Sequence, residues 1–361
     1  MNITNLNRKK LDFKRMDINK GKILVTGGLG FIGSHTVVEL IAAGYEVVIA
    51  DDLSNAQLFI LDNIEKISNA KPSFYQIDVA DKISLSGVLN KEKNIDAVIH
   101  FAAFKAVGES VKEPLKYFRN NLYSLINLLE CMNEKQISNI VFSSSATVYG
   151  DPDKSPVTET TPFKKALSAY GSTKQTGEDI LEKVAETKSI NAISLRYFNP
   201  VGAHSSALLG ELPLGIPNNL LPFVTQTAAD LREKLTVYGN DYNTPDGTCI
   251  RDYIHVVDLA KAHVKSCDRL LQKQQKNNYE VFNIGTGNGV SVLEVIQAFE
   301  KYNNLKLNYS IGAKREGDAA VMYADTALAE SKLGWKATLD MGEMVTSAWK
   351  WQLYIRQHKL N

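Results

Sequence analysis

The chain has 361 residues, of which 44% are hydrophobic and 22% charged, and its formal charge at neutral pH is +1. That size and balance suit a globular protein with one large core or two modest ones, and the near-zero charge excludes nucleic acid or an anionic membrane surface as the main partner. Three scattered cysteines, Cys131, Cys249 and Cys267, exclude a disulfide framework or a thiolate metal cluster, and no run approaches the roughly 18 apolar residues of a membrane span, so a cytoplasmic protein is expected.

Residues 1–20 are polar and basic and lack the apolar centre of a signal peptide. They read as an N-terminal extension without fixed structure, or as a product of start-site choice, since Met16 is itself a candidate start. Lys22–Thr26 is then a short apolar strand that stops abruptly at Gly27-Gly28-Leu29-Gly30-Phe31-Ile32-Gly33, and Ser34 to Ala43 reads as a helix. Gly28, Gly30 and Gly33 fit G-x-G-x-x-G, while Gly27, Gly30 and Gly33 fit the G-x-x-G-x-x-G spacing of short-chain dehydrogenases. In a strand-turn-helix context these glycines let the backbone approach a pyrophosphate at the helix N-terminus, with Phe31 and Ile32 in the first turn beside it. A second strand, Tyr45–Ala50, ends at Asp51 and Asp52. An acid about 20 residues past the glycines accepts hydrogen bonds from a ribose 2′-hydroxyl and repels a 2′-phosphate, which points to NAD rather than NADP, with Asp51 first and Asp52 second.

A third strand, Phe74–Val79, brings Asp78 and Val79 to the adenine end, and a fourth, Ala97–Ala103, runs into a loop that carries Lys105. Phe101, Ala102 and Lys105 are therefore candidates to line the cofactor, whereas His100, inside the apolar run, reads as a satisfied core histidine. Residues 113–134 form an amphipathic helix with Leu115, Phe118, Leu122, Leu125, Ile126 and Leu129 near helical spacing. Within it, Asn120 or Asn121 is placed to bond a neighbouring loop or the cofactor.

The fifth strand, Ile140–Phe142, delivers the hydroxyl cluster Ser143-Ser144-Ser145. Some 25 residues later comes Tyr170-Gly171-Ser172-Thr173-Lys174, followed by a helical run to Lys188. At i and i+4 the phenol and the ammonium share a helix face, and a neighbouring cation favours the phenolate, making Tyr170 and Lys174 a proton-transfer unit. Ser145 is placed to hold the oxygen that gains or loses the proton. No His or carboxylate is positioned to activate Ser145 as a nucleophile, which excludes a serine hydrolase.

From Leu195 onward the motifs become specific. Leu195–His204 (LRYFNPVGAH), Ile216–Leu220 (IPNNL), Gly239–Tyr242 (GNDY), Arg251–Val256 (RDYIHV) and Arg315–Asp318 (REGD) resemble the UDP-glucose 4-epimerases, a branch of the extended short-chain dehydrogenase/reductase family. The resemblance also covers Thr26–His35, His100–Ser110 and Phe142–Gly150, and so runs from residue 22 through nearly the whole chain. It implies that NAD is the cofactor, bound with the help of Phe198 as well as the residues above. It further implies that Asn199, Asn219 and Leu220 hold a nucleotide-sugar, that Arg251 and Arg315 clamp its diphosphate, and that Asp318 bonds the uridine ribose. The reaction implied is oxidation of a UDP-hexose at C4, rotation of the 4-keto sugar, and reduction on the other face, interconverting UDP-galactose and UDP-glucose. Related 4,6-dehydratases carry an Asp-Glu pair directly after the active-site hydroxyl residue, where this chain has Ala146-Thr147. At the position that faces the hexose stands Met322, long but flexible, which leaves turnover of UDP-N-acetylhexosamines open.

The expected architecture is α/β. Residues 21–198 form a Rossmann-type doubly wound parallel sheet that binds NAD, and residues 199–361 form a smaller mixed α/β domain for the nucleotide-sugar. The strand-like runs Tyr253–Val256 and Val281–Ile284 are both candidates to return to the first domain. A homodimer through the helices at 113–134 and 172–188 is what the resemblance implies, and no metal ligand set is found.

Overall fold

The structure, a computed structural model, describes residues 20–315 and 319–360. The N-terminal extension up to residue 19, Met16 included, and Asp318 lie outside the described residues. In the first half, strands β1 (Lys22–Thr26), β2 (Glu46–Asp51), β3 (Ser73–Gln76), β4 (Ile95–His100), β5 (Asn139–Ser143) and β6 (Asn191–Tyr197) alternate with helices. These are α1 (Phe31–Ala42), α2 (Phe59–Ser68), α3 (Lys82–Lys91), α4 (Val107–Lys112), α5 (Pro114–Glu134) and α6 (Ala169–Glu186). The second half holds β7 (Asn199–Val201), α7 (Leu220–Ala228), β8 (Leu235–Tyr238), β9 (Ile250–His255), α8 (Val256–Leu271) and β10 (Tyr279–Ile284). It continues with β11 (Gly289–Ser291), α9 (Val292–Asn303), β12 (Tyr309–Gly312), β13 (Val321–Met322), α10 (Ala327–Leu333) and α11 (Met341–His358).

Alternating strands and helices leave each strand to pair in parallel, and the large sheet has the order β10-β6-β5-β4-β1-β2-β3. β1 sits between β2 and β4, both parallel to it, so its side chains meet cover on two faces. That is why the run is apolar without alternation: Ile23 and Val25 join one core cluster, Leu24 the other. Each such fully buried aliphatic side chain stabilises the fold by about 1.5–3 kcal/mol relative to exposure. The strand order reverses direction at β1, with β2 and β3 on one side and β4, β5 and β6 on the other. This is the switch point at which doubly wound sheets open a crevice beyond their carboxyl ends.

Of the two late runs that could rejoin this sheet, one does. β10 pairs in parallel with β6, whereas β9 stays out and instead pairs with β7, β11 and β13 in a four-stranded mixed sheet. β8 and β12 form a separate parallel pair. The core also crosses the midpoint of the chain, because Leu259 and Ala262 of α8 and Trp351 of α11 pack in the same cluster as Val37 and Leu40 of α1. A further cluster under α7, α9 and α11 includes Leu221, Val224, Phe299, Met344 and Val345.

Caps set several boundaries. The Ser168 hydroxyl accepts from the Gly171 amide at 3.1 Å, so α6 starts at Ala169 and takes Tyr170 into its first turn, on the helix with Lys174 as the i and i+4 spacing expects. Ser291 with Glu294, and Asp340 with Glu343, form capping boxes that start α9 and α11. β3 is shorter than the run Phe74–Val79 suggested, ending at Gln76, so Asp78 and Val79 follow the strand.

Candidate active site

The turn after β1 is shaped by contacts that only glycine tolerates. Gly27 has φ +69°, and a Cβ there would lie 2.9 Å from the Ala102 amide nitrogen; a Cβ on Gly33 would lie 2.2 Å from the Gly27 carbonyl oxygen. Gly30, less crowded, precedes Phe31 and opens α1. Asp51, the last residue of β2, is buried and its carboxylate accepts from the Leu29 amide at 3.0 Å and the Leu53 amide at 2.9 Å. The acid is thereby tied to the glycine turn itself, and burial raises its pKa against the opposing effect of those amides. Asp52 is exposed and engaged with Ser54. Asp78 accepts from the Ala80 amide just beyond β3, with Val79 buried beside it. The glycine cradle, the helix N-terminus behind it and a carboxylate at the end of the next strand, all at the switch point, fit a dinucleotide.

β4 delivers the next group. His100 is buried and its Nδ1 lies 2.8 Å from the Thr26 hydroxyl, and burial, with a smaller effect from Lys174, pulls its pKa down to about 3. It is a neutral core histidine, as its apolar setting suggested. Phe101 packs against His263 at a ring separation of 4.7 Å, and the Ala102 amide reaches the Thr26 hydroxyl at 3.4 Å. Asn121 of α5 is buried, with its side chain bonded to both the amide and the carbonyl of Phe104 and to the Thr173 hydroxyl; Asn120 donates to Asn121 at 3.1 Å. Asn121 thus takes the loop-bonding role that the sequence left between the two, and fixes the loop that carries Lys105.

At the end of β5 the three serines divide their work. The Ser143 carbonyl accepts from Lys174 Nζ at 2.5 Å, and the Ser143 hydroxyl bonds the Tyr197 hydroxyl. Ser144 donates to Glu178, and the Ser145 hydroxyl accepts from the Thr147 amide at 3.2 Å, while Ser145 is also the side chain whose influence lowers the proton affinity of the Tyr170 phenol. Tyr170 and Lys174 are both buried on α6, with Lys174 Nζ 5.8 Å from the Tyr170 ring centre and 4.7 Å from that of Phe142. Phe142 stacks at 6.1 Å on His100, which links the pair back to Thr26 and the glycine turn. Proton affinity differs from expectation in one respect. Burial pushes the Tyr170 phenol up to about 12 against the influence of Ser145, and burial pulls Lys174 down to about 7 against the charge of Glu178. The ammonium therefore does not lower the phenol by itself, because desolvation of both charged forms outweighs their attraction.

Sequence reasoning missed what lies beneath this pair. Glu178, four residues after Lys174, meets Arg196 of β6 through both Nε and Nη2, with Nη2 at 2.6 Å, and Arg196 also donates to the Tyr149 hydroxyl at 3.1 Å. Tyr149 in turn donates to Asn283 of β10 at 2.6 Å. Charge at a third position on the helix face of Tyr170 and Lys174 was the available signal.

The second half is partly assembled. Phe198 and Met322 are buried together with Ala146, Val148 and Tyr149, so the proposed hexose-facing methionine packs beside the short 3-10 turn Ala146–Tyr149. Asn199 opens β7, Asn219 is the residue before α7, and Leu220 is that helix's first residue. Arg251 lies in β9 and donates to the Ile250 carbonyl, and its neighbour Asp252 is buried and accepts from Thr286, Gly287 and Ala324. Arg315 stacks over the Tyr238 ring at 4.2 Å. Among the described residues no group of three His, Cys, Asp or Glu could hold a metal ion, and no helix is long and apolar enough to cross a membrane.

Comparison with known proteins agrees with this arrangement. A family profile described as GDP-mannose 4,6 dehydratase matches residues 24–348. The UDP-glucose 4-epimerase of Dictyostelium discoideum is 49% identical over 332 residues, covering 92% of this chain and 95% of its own. Among solved structures, UDP-glucose-4-epimerase from Stenotrophomonas maltophila, with bound NAD and formylated UDP-arabinopyranose, superposes with a TM-score of 0.90 at 46% identity, covering 94% of this chain and 99% of that one. The Bifidobacterium longum UDP-glucose 4-epimerase, in complex with NAD+ and UDP, gives 0.88 at 47% identity, with 92% and 98% covered.

Proposed function

Because the chain belongs to the UDP-glucose 4-epimerases of the extended short-chain dehydrogenase family, we propose that it interconverts UDP-galactose and UDP-glucose with NAD as its resident cofactor. The observation that carries this reading is the buried Tyr170–Lys174 pair, bonded through Lys174 to the Ser143 carbonyl at the end of β5 and linked by Phe142 and His100 to the glycine turn. Gly27, Gly30, Phe31, Ile32, Gly33 and Asp51 would hold the dinucleotide, with Asp52, Asp78, Val79, Phe101, Ala102, Lys105, Asn120 and Phe198 beside it. Bound there, NAD supplies a hydride acceptor that is also the donor for the return step.

The chain's own work is proton transfer and positioning. Tyr170, as phenolate, takes the proton of the sugar 4-hydroxyl and becomes a neutral phenol, Ser145 holds that oxygen, and Lys174 offsets the charge of the phenolate before the transfer. A positive charge on the dinucleotide is what the pair itself lacks for ionising Tyr170 in a buried setting. Once the 4-keto sugar has turned over, the same phenol returns the proton. Arg251 and Arg315 suit the two phosphates, Asn199, Asn219 and Leu220 the rest of the nucleotide-sugar, and Asp318 the uridine ribose. Residues 21–198 serve the dinucleotide and residues 199–361 the nucleotide-sugar, with β10 serving the first sheet.

A dehydratase, the activity in the description of the matching family profile, needs an acid-base pair after Ser145. Ala146 packs in an apolar cluster there and Thr147 is no carboxylic acid, so elimination of water lacks its groups. Met322 is unbranched and can repack, which leaves the substrate range open to UDP-N-acetylhexosamines, and kcat/KM for the acetylated and unacetylated pairs decides between them. Leu115, Arg119, Tyr123 and Ile126 form an exposed stripe along α5, and this face fits a second copy of the chain, giving a homodimer. Free, buried cysteines suit a cytoplasmic location. Purified protein given UDP-galactose, with no nicotinamide added, should yield UDP-glucose; unchanged UDP-galactose from protein that carries NAD would defeat the reading.

A further inference from the structure

Glu211 lies outside the machinery described so far. Its side chain is only 10% exposed, yet Oε1 receives two donors from distant parts of the chain: Lys105 Nζ at 3.2 Å and Asn219 Nδ2 at 2.7 Å. Lys105 is in the loop after β4, which serves the dinucleotide, while Asn219 stands before α7, which serves the nucleotide-sugar. The acceptor is fixed and the donors are not. The Glu211 carbonyl accepts from Trp351 Nε1 of α11 at 2.9 Å, and the preceding Gly210 packs so closely on the same indole that a Cβ would lie 2.4 Å from it. Three residues upstream of Glu211, the Leu208 carbonyl is held by Asn63 of α2 at 2.9 Å. Lys105 and Asn219 are both exposed, and an exposed lysine loses much rotamer freedom when it is held in one place.

We propose that Glu211 is a positioning residue that sets Lys105 and Asn219 in one arrangement and so couples the cofactor side of the crevice to the nucleotide-sugar side. The proposal rests on the assignment of those two residues above. An amide at position 211 keeps an oxygen for Asn219 but no charge for Lys105, whereas alanine removes both contacts, so the two halves separate.

The test compares Glu211→Gln and Glu211→Ala as NAD-loaded full-length protein, reading NAD loss on dilution, KM and kcat for UDP-galactose, and melting temperature. Glu211→Gln should lose NAD about tenfold faster with KM within about twofold of the parent, and Glu211→Ala should show that loss together with a KM raised about tenfold, each with kcat and melting temperature nearly unchanged. Parental NAD retention and KM in Glu211→Ala would overturn the proposal, as would effects confined to melting temperature. An inactive parent that still binds NAD and UDP would count against the epimerase reading, while NAD loss on dilution and the Kd for UDP, read in place of KM, would still judge the role of Glu211.

Discussion

The proton affinities of Tyr170 and Lys174 decide how activity should depend on pH. Starting from phenol plus ammonium, one proton must leave before the pair can act as a base. Loss from Lys174 and loss from Tyr170 give the same net charge and exchange by an internal transfer. With burial holding Lys174 at about 7 and the phenol at about 12, that first proton leaves near neutrality. kcat for epimerisation should therefore fall about tenfold per unit as pH drops below about 7 and level off above it. In Lys174→Met no ammonium remains to give up the proton, so the acid limb should move upward, toward the range of the buried phenol. A limb that stays near neutrality in that variant would take Lys174 out of the proton count. Tyr170→Phe should lose about 10²–10⁴ in kcat while its folding midpoint stays close to the parent's, since only a hydroxyl is removed. At this scale the sequence was informative where chemistry imposes a spacing: Tyr170 four before Lys174, Asp51 at a strand end, glycines at 27, 30 and 33. It was silent about the meeting of Glu211 with Lys105 and of Arg196 with Glu178, because these pairs are 106 and 18 residues apart in the chain and no local pattern encodes such a meeting.

α6 is the element on which chemistry and stability meet. One face carries Tyr170, Lys174 and Glu178 in successive turns, all buried, and Glu178 closes a two-pronged ion pair with Arg196. Such a pair adds modest net stability over a well-packed apolar one, but removing one partner strands the other charge in the interior. Glu178→Ala should cost about 3–5 kcal/mol in urea unfolding, and a loss below about 1 kcal/mol would mean that Arg196 finds another partner. The glycine turn makes the complementary case. A methyl group at position 33 has 2.2 Å to the Gly27 carbonyl, so Gly33→Ala cannot keep the turn that α1 and β1 define. Element types and order were readable from sequence because apolar runs, glycines and caps act locally. Their ends were less so: the start of α6 depends on the Ser168 cap, and nothing local in the runs of β9 and β10 tells that β10 joins β6 while β9 pairs with β7, β11 and β13.

Across the whole molecule, the described chain buries its large sheet on both faces yet leaves Leu115 78% exposed and Tyr123 55% exposed on α5. Replacing Tyr123 by Glu and Ile126 by Lys should convert the proposed dimer to a monomer in sedimentation velocity, leaving the parallel sheet intact. A parent that sediments as a monomer would remove that interface. The two halves also share a core through α1, α8 and α11, so a simple cut at residue 198 does not divide the packing.

The claim on which the rest depends is that hydrogen leaves C4 of the sugar and returns to the same carbon without meeting solvent. UDP-galactose deuterated at C4, turned over in ordinary water, tests it most directly. UDP-glucose that keeps its deuterium at C4 is the expected product, whereas UDP-glucose carrying protium there, or deuterium found at C6 of a dehydrated sugar, would contradict the account.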